Sequence, residues 1–182
     1  MVPCPSLPSD LRPDDSVTHQ IEVAQGAMRI SNDPQLELVA TLGSCVSVCL
    51  FDMCGQWGGM NHIYKNVSTE PLGDAAVIAE AERLVNALMQ KGVSRRRLGA
   101  RITGGAHVLL RGKRHGLAIA EACMGYLTRE GIPLLGVSIG GESARRIRFH
   151  PVTGRLVVAA LAKTRITGAP APASNGNAPE LF

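Results

Sequence analysis

Two side chains in this sequence have the type and spacing for covalent chemistry. Cys45 stands in Thr41-Leu-Gly-Ser-Cys-Val-Ser-Val-Cys-Leu-Phe-Asp52, and His62 closes Gly58-Gly-Met-Asn-His62. A thiolate attacks a carbonyl carbon, and an imidazole beside it can take the thiol proton and later deliver one to a leaving group. Gly43 and Ser44 form a turn, so Cys45 is expected at a turn-to-strand junction where backbone N–H groups near Ser44 and Cys45 are available to an oxyanion. A third group should orient the imidazole. Thr41 is the nearby candidate, although a hydroxyl orients more weakly than a carboxylate because it brings no full charge. Asn61 is discounted, because neighbours along a strand point to opposite faces. A nucleophile at Cys45 should carry a lowered thiol pKa, whereas a cysteine used as a small core residue should not.

The elements that must hold these residues follow from periodicity. Val46, Val48 and Leu50 alternate with Ser47, Cys49 and Phe51, as in a strand buried on at least one face. A turn near Cys54-Gly55 returns the chain through Trp57 to His62, which would bring His62 beside Cys45. Leu36 to Ala40 reads as a strand running into the Cys45 turn, and His19 to Ile30 as one or two short strands or a strand with a turn. Gly58-Gly59 permits close approach or an unusual backbone angle. Asp74 is expected to cap a helix over 75–91, with Val77, Ala81, Leu84 and Leu88 as its apolar stripe and Gly92 as its stop. Residues 98–102 form a strand ending in Gly104-Gly105, and 116–130 a second helix. A strand over 132–139 ends in Gly140-Gly141, and two strands over 145–150 and 156–161 are joined by Pro151-Val-Thr-Gly154. Residues 1–16 are expected to be loose and 17–167 to form one mixed α and β domain. The Ala-, Pro-, Ser- and Asn-rich stretch 168–182 is expected to be a disordered tail.

The 182 residues are 45% apolar, 3% aromatic and 19% charged, with a formal charge of +4. That suffices for one domain whose core is aliphatic. Five cysteines, an odd number in a chain of this length, do not read as a disulfide framework. The N-terminus lacks the pattern of a signal peptide, and no apolar run is long enough to span a bilayer, so a cytoplasmic protein without membrane insertion is expected. Cys49 and Cys123 read as core packing and Cys54 as a turn residue. His107 and His115 read as surface residues.

Other chemistries fit less well. Cys45, Cys49, Cys54 and His62 lack the paired knuckle spacing of a zinc site, and neither a P-loop nor a dinucleotide fingerprint follows a strand. No metal or organic cofactor is expected. Basic clusters at Arg95–Arg97, Arg111–Arg114 and Arg145–Arg148 could meet phosphates. Stacking aromatics are too few for nucleic acid, so a basic face that docks on an acidic protein surface explains the charges more cheaply.

Leu42-Gly-Ser-Cys-Val-Ser-Val-Cys-Leu-Phe-Asp52 with Gly58-Gly-Met-Asn-His62 resembles the CheD family, the chemoreceptor glutamine deamidases of bacterial chemotaxis. The likeness continues through Ala100-Arg-Ile-Thr-Gly-Gly-Ala106, Leu127-Thr-Arg-Glu-Gly-Ile132, Gly140-Gly141 with Arg145, and Phe149-His-Pro-Val-Thr-Gly154. The resemblance implies an α+β fold, a three-layer α/β/β sandwich like that of toxin-type glutamine deamidases. It implies a cysteine-dependent amidohydrolase, a protein-glutamine glutaminase, converting selected glutamines of methyl-accepting chemotaxis receptors to glutamate. Cys45 would be the nucleophile and His62 the base, and a chemotaxis aspartyl-phosphate phosphatase would be a further partner. The sequence departs from the family at two places. The family's upstream threonine falls on Val39 by ungapped counting, with Thr41 two residues closer and on the same strand face. Residues 115–119 read His-Gly-Leu-Ala-Ile where the family often has Ile-Gly-x-Arg-Asn. The alternative is a weakly active or inactive paralogue that binds and regulates within the chemotaxis system.

Overall fold

A computed structural model describes residues 17–64, 73–107 and 115–161. The expectations for residues 1–16, for the basic turn at 111–114 and for the tail fall outside these residues. The chain runs β1 (His19–Glu22), β2 (Met28–Ser31), β3 (Leu36–Leu42), β4 (Val46–Asp52), β5 (Gly58–Asn61), α1 (Gly73–Gln90), β6 (Leu98–Gly104), α2 (His115–Arg129), β7 (Leu134–Ile139), β8 (Arg145–Phe149) and β9 (Leu156–Ala160). The strands form two sheets, one ordered β1-β3-β8-β9 and the other β2-β5-β4-β6-β7. This is a mixed α/β fold with two sheets and two helices.

Consecutive strands part company four times. β1 and β2 lie in different sheets, and so do β2 and β3, β3 and β4, and β7 and β8. Two of these crossings, over residues 23–27 and 43–45, matter for the site. Alternation along β4 separates two apolar cores. Val46, Val48 and Leu50 pack with Leu84, Leu88, Ile119, Leu127 and other residues of α1 and α2. Cys49 packs with Leu38, Leu42, Met60, Ile147 and Phe149 from both sheets, and Cys45 lies at the border of that second cluster. Each fully buried Leu or Ile contributes roughly 1.5–3 kcal/mol, which an almost aromatic-free chain supplies by number.

Several local expectations are refined. α1 begins at Gly73, so Asp74 sits in its first turn and not at the cap, where its charge still suits the positive end of the helix. Gly92 and Gly131 follow the two helices with φ of 86° and 69°, the left-handed geometry that glycine allows. β7 starts two residues later than expected, since Pro133 has no N–H to donate and serves as the carbonyl acceptor for Ala100. Gly58-Gly59 provides close approach: a Cβ at Gly58 would stand 2.0 Å from the Pro151 carbonyl oxygen.

Most described arginines of the basic clusters have partners within the chain. Arg97 pairs with the fully buried Asp52, Arg95 with Glu130, Arg146 with Glu22, and Arg148 and Arg155 with the buried Glu37. Arg145 is itself buried and donates to the carbonyls of Ser138 and Gly140, which ties β8 to the end of β7. Among the described residues of these clusters, Arg95, Arg97, Arg145, Arg146 and Arg148 pair with acids or carbonyls of the chain, and Arg96 is exposed. No helix among the described residues is long and apolar enough to cross a membrane.

Candidate active site

The crossings over residues 23–27 and 43–45 meet at one end of the inter-sheet core, and the sequence-predicted pair lies there. β4 and β5 pair antiparallel with Cys49 opposite Met60, and Val46 forms a further bridge with Ile63. That single register sets Ser47 opposite His62. Cys45 is therefore the diagonal neighbour of His62 on the same face, about 7–8 Å apart between backbones in a regular ladder and within reach of long side chains. Asn61 points the other way, as expected. Its amide accepts from the Val48 N–H at 2.9 Å and donates to the Glu80 carbonyl of α1 at 3.1 Å.

Three glycine-bearing loops hold the Cys45 turn. The Cys45 carbonyl accepts from Gly105 N–H at 2.7 Å, and the Gly43 carbonyl from Ala106 N–H at 2.8 Å. Gly140 N–H in turn donates to the Gly104 carbonyl at 2.9 Å. Gly104 has φ of 120°, and a Cβ there would lie 2.2 Å from the Cys45 carbonyl oxygen, so glycine is required for both reasons. Gly116, in the first turn of α2, packs on Ser44: a Cβ there would be 2.5 Å from the Ser44 carbonyl oxygen. The positive end of α2 therefore abuts the turn, which favours negative charge. Among the described residues, neither the Ser44 nor the Cys45 N–H has a backbone acceptor.

His62 is buried and its ring is fixed. Nδ1 lies 3.0 Å from the Val23 carbonyl oxygen. A carbonyl only accepts, so Nδ1 carries the hydrogen and Nε2 is the nitrogen free to take a proton. The Val23 N–H donates to the Val39 carbonyl at 2.8 Å, which anchors the acceptor to β3. Thr41, by contrast, is exposed, and its hydroxyl accepts from Arg146 at 3.1 Å. The imidazole's partner is thus a main-chain carbonyl, a group that side-chain patterns cannot reveal.

Cys45 is half-buried, and burial pushes its thiol above the ordinary value, partly offset by a hydrogen bond from the Gln25 side chain. The Gln25 Nε2 donates to Cys45 Sγ at 3.4 Å. The resting thiol is therefore protonated at neutral pH, and a lowered thiol pKa is not found. Gln25 occupies the second position of a turn over Ala24–Ala27, with Ala27 N–H on the Ala24 carbonyl at 2.9 Å and Gly26 at φ of 77°. A positive φ at the third residue marks a type II turn, a signal that Gln25-Gly26 carries in sequence. Cys49 and Cys123 behave as core residues, fully buried with thiols pushed up to about 12 by burial. Cys54 lies beyond the C-terminal end of β4, a strand's length from Cys45.

A thiol at the start of a strand, an oriented imidazole and N–H groups without a backbone acceptor among the described residues are the parts that a cysteine hydrolase uses. Comparison with known proteins narrows the class. The family profile described as CheD chemotactic sensory transduction matches residues 73–160. A Rhizobium johnstonii protein named "Probable chemoreceptor glutamine deamidase CheD" is 37% identical over 146 residues, covering 78% of this chain and 79% of its own. A Caulobacter protein of the same name is 37% identical over 180 residues, covering 93% and 96%. The chain belongs to the CheD family. Among solved structures, the hypothetical protein YfiH of Bacillus licheniformis is similar with a TM-score of 0.44 and 14% identity, over 69% of this chain and 60% of that one.

Proposed function

We propose that this protein is a glutamine deamidase of chemotaxis receptors, a protein-glutamine glutaminase using Cys45 and His62, and that it works in the cytoplasm. Family membership supports the activity. The observation that carries the site is the fixed His62 tautomer, which leaves Nε2 as the proton acceptor on a residue that shares a sheet face with Cys45. In this reading the two cores stack the helices, the five-stranded sheet and the four-stranded sheet as a three-layer α/β/β sandwich of the toxin-type deamidase kind.

The steps follow from the groups present. A substrate carboxamide displaces Gln25 from the thiol, and His62 Nε2 takes the Cys45 proton as sulfur attacks the carboxamide carbon. The resting thiol is neutral, so proton transfer accompanies attack. The oxyanion is met by the N–H groups at Ser44 and Cys45. The C–N bond breaks and ammonia leaves with the proton from His62. Water, deprotonated by the same nitrogen, then cleaves the thioester to glutamate and restores Cys45. The Val23 carbonyl holds the ring in the required tautomer throughout.

A second reading, a binding protein with little catalysis, is favoured by the raised thiol pKa. One experiment separates them: peptide mass spectrometry of a receptor cytoplasmic fragment after incubation with the protein, with Cys45→Ala and His62→Ala alongside. Conversion of defined glutamines to glutamate, lost in both variants, is the expected result. Binding without conversion would overturn the enzyme.

A further inference from the structure

We propose that the protein is its own substrate: Cys45 deamidates Gln25 of the same chain to glutamate. The proposal rests on the deamidase reading above and extends it to a modification site within the chain.

The backbone on either side of Gln25 is fixed, and its side chain is exposed. Its turn is bonded to His62 from both sides, with Gly26 N–H donating to the His62 carbonyl at 2.8 Å and His62 N–H to the Ala27 carbonyl at 3.0 Å. The imidazole itself donates to Val23 at the start of the same segment. Three hydrogen bonds thus lock the turn to the base, and from that turn the exposed Gln25 side chain reaches the nucleophile, with Nε2 3.4 Å from Sγ. The carbon that a deamidase attacks is one C–N bond, about 1.3 Å, from that nitrogen. The terminal torsion of glutamine is soft, so the amide can turn its oxygen toward the N–H groups of Ser44 and Cys45 without moving the backbone. An exposed glutamine of a bound protein must reach the same place by displacing this one. The tethered amide has an entropic advantage that a bimolecular substrate lacks.

The reaction balances with water alone. Sγ adds to Cδ of Gln25 while its proton passes to His62 Nε2. The Cδ–N bond breaks and ammonia departs with that proton, leaving a thioester between residues 25 and 45. Water adds to the thioester carbon, the C–S bond breaks, and the products are a glutamate side chain at position 25 and the free thiol. The new carboxylate cannot donate to sulfur and repels a thiolate, so the modified protein works on receptors more slowly and needs a higher pH. The reaction converts a neutral cover over the thiol into an anionic one, once per chain.

Peptide mass spectrometry of the purified full-length protein tests this. Samples are taken as isolated and then during incubation at several protein concentrations, and a receptor fragment is assayed in parallel. The expected result is glutamate at position 25 in the wild type and glutamine in both Cys45→Ala and His62→Ala, with a first-order rate independent of concentration. Spontaneous hydrolysis at Gln25-Gly26 is slow, and the two variants measure that background. Receptor conversion with Gln25 intact, or with equal loss of Gln25 in the variants, would overturn the proposal and leave the deamidase reading standing. A rate proportional to concentration would overturn attack within one chain. Failure to convert either substrate would overturn both readings. A Gln25→Glu protein supplies the product state: its receptor activity is expected to fall and its pH–rate profile to move upward, and an unchanged profile would deny the modification its effect.

Discussion

The two ends of β4 are built from one strand and behave oppositely. At its C-terminal end Asp52 is fully buried and saturated. Its carboxylate takes Arg97 and the Cys54 N–H, its own N–H donates to the Trp57 carbonyl at 2.7 Å, and its carbonyl accepts from Gly55 at 2.7 Å. At its N-terminal end Cys45 is half-buried, with a neutral thiol, two N–H groups without backbone acceptors and a loosely held amide above it. The closed end satisfies every valence and supplies stability. The open end leaves valences for a substrate to fill, and the surrounding loops keep it from collapsing onto itself.

The largest expected effect lies at the open end and sharpens this contrast. His62→Ala removes the base, so deamidation of a receptor fragment should fall by about 10²–10⁴-fold. The same substitution gives up one hydrogen bond to Val23, so urea unfolding should show a loss of only about 1 kcal/mol. If stability fell as steeply as activity, the open end would be structural and the comparison would break.

The mirror experiment is Arg97→Met. It leaves the Asp52 carboxylate buried with the Cys54 N–H but without its cation, which costs about 3 kcal/mol when such a pair is broken from one side. Deamidation per folded molecule should be unchanged, because Arg97 lies at the far end of the strand. A loss of activity in protein shown to be folded would mean that the two ends are coupled through β4.

Much of this arrangement is legible in the sequence, and the failures have physical causes. The alternation of β4, the return to His62 and the opposite orientation of Asn61 all follow from a period of two. The separation of β3 and β4 into different sheets does not. A Gly-Ser turn between two alternating runs is equally compatible with a hairpin and with a crossing, and only long-range packing decides. The arginine pairings are hidden for a similar reason, since Arg97 and Asp52 are 45 residues apart and a linear reading cannot pair them. The Val23 carbonyl is invisible because any residue would supply it. Gln25 was findable, through the Gln-Gly turn signal, though not its position above Cys45.

A smaller effect is expected from the buried thiols of β4 and α2. Cys49 and Cys123 have folded-state pKa values near 12 against an ordinary 9.0. The folded protein therefore holds these protons more tightly than the unfolded chain does. Their contribution is complete below pH 9 and is lost as pH climbs from 9 toward 12. The urea midpoint should fall across that window, and less so in Cys49→Ala measured against its own neutral-pH value. Iodoacetamide should label Cys45 in the folded protein, faster as pH rises, and reach Cys49 only on unfolding. Equal labelling of Cys45 and Cys49 would erase the distinction between the open end and the core on a single strand face.

The smallest expected effect is at Thr41, and it decides what completes the open end. Its hydroxyl lies on β3 and is taken by Arg146, which also pairs with Glu22, while the imidazole donates to Val23. Thr41→Val keeps the β-branched shape and removes only the hydroxyl. Stability should move within about 0.5 kcal/mol, and kcat/KM and its pH profile should stay where they are. If Thr41→Val instead lowered kcat with KM unchanged and shifted the profile, the hydroxyl would be acting on the imidazole in the reacting complex. His62 would then need a side chain that leaves Arg146 and crosses to it when substrate binds. If nothing moves, the ring is oriented by main chain alone, and Val39 at the position expected for the family's threonine is explained. Its carbonyl, fixed by the strand whatever the side chain, holds the Val23 N–H that sets the acceptor in place.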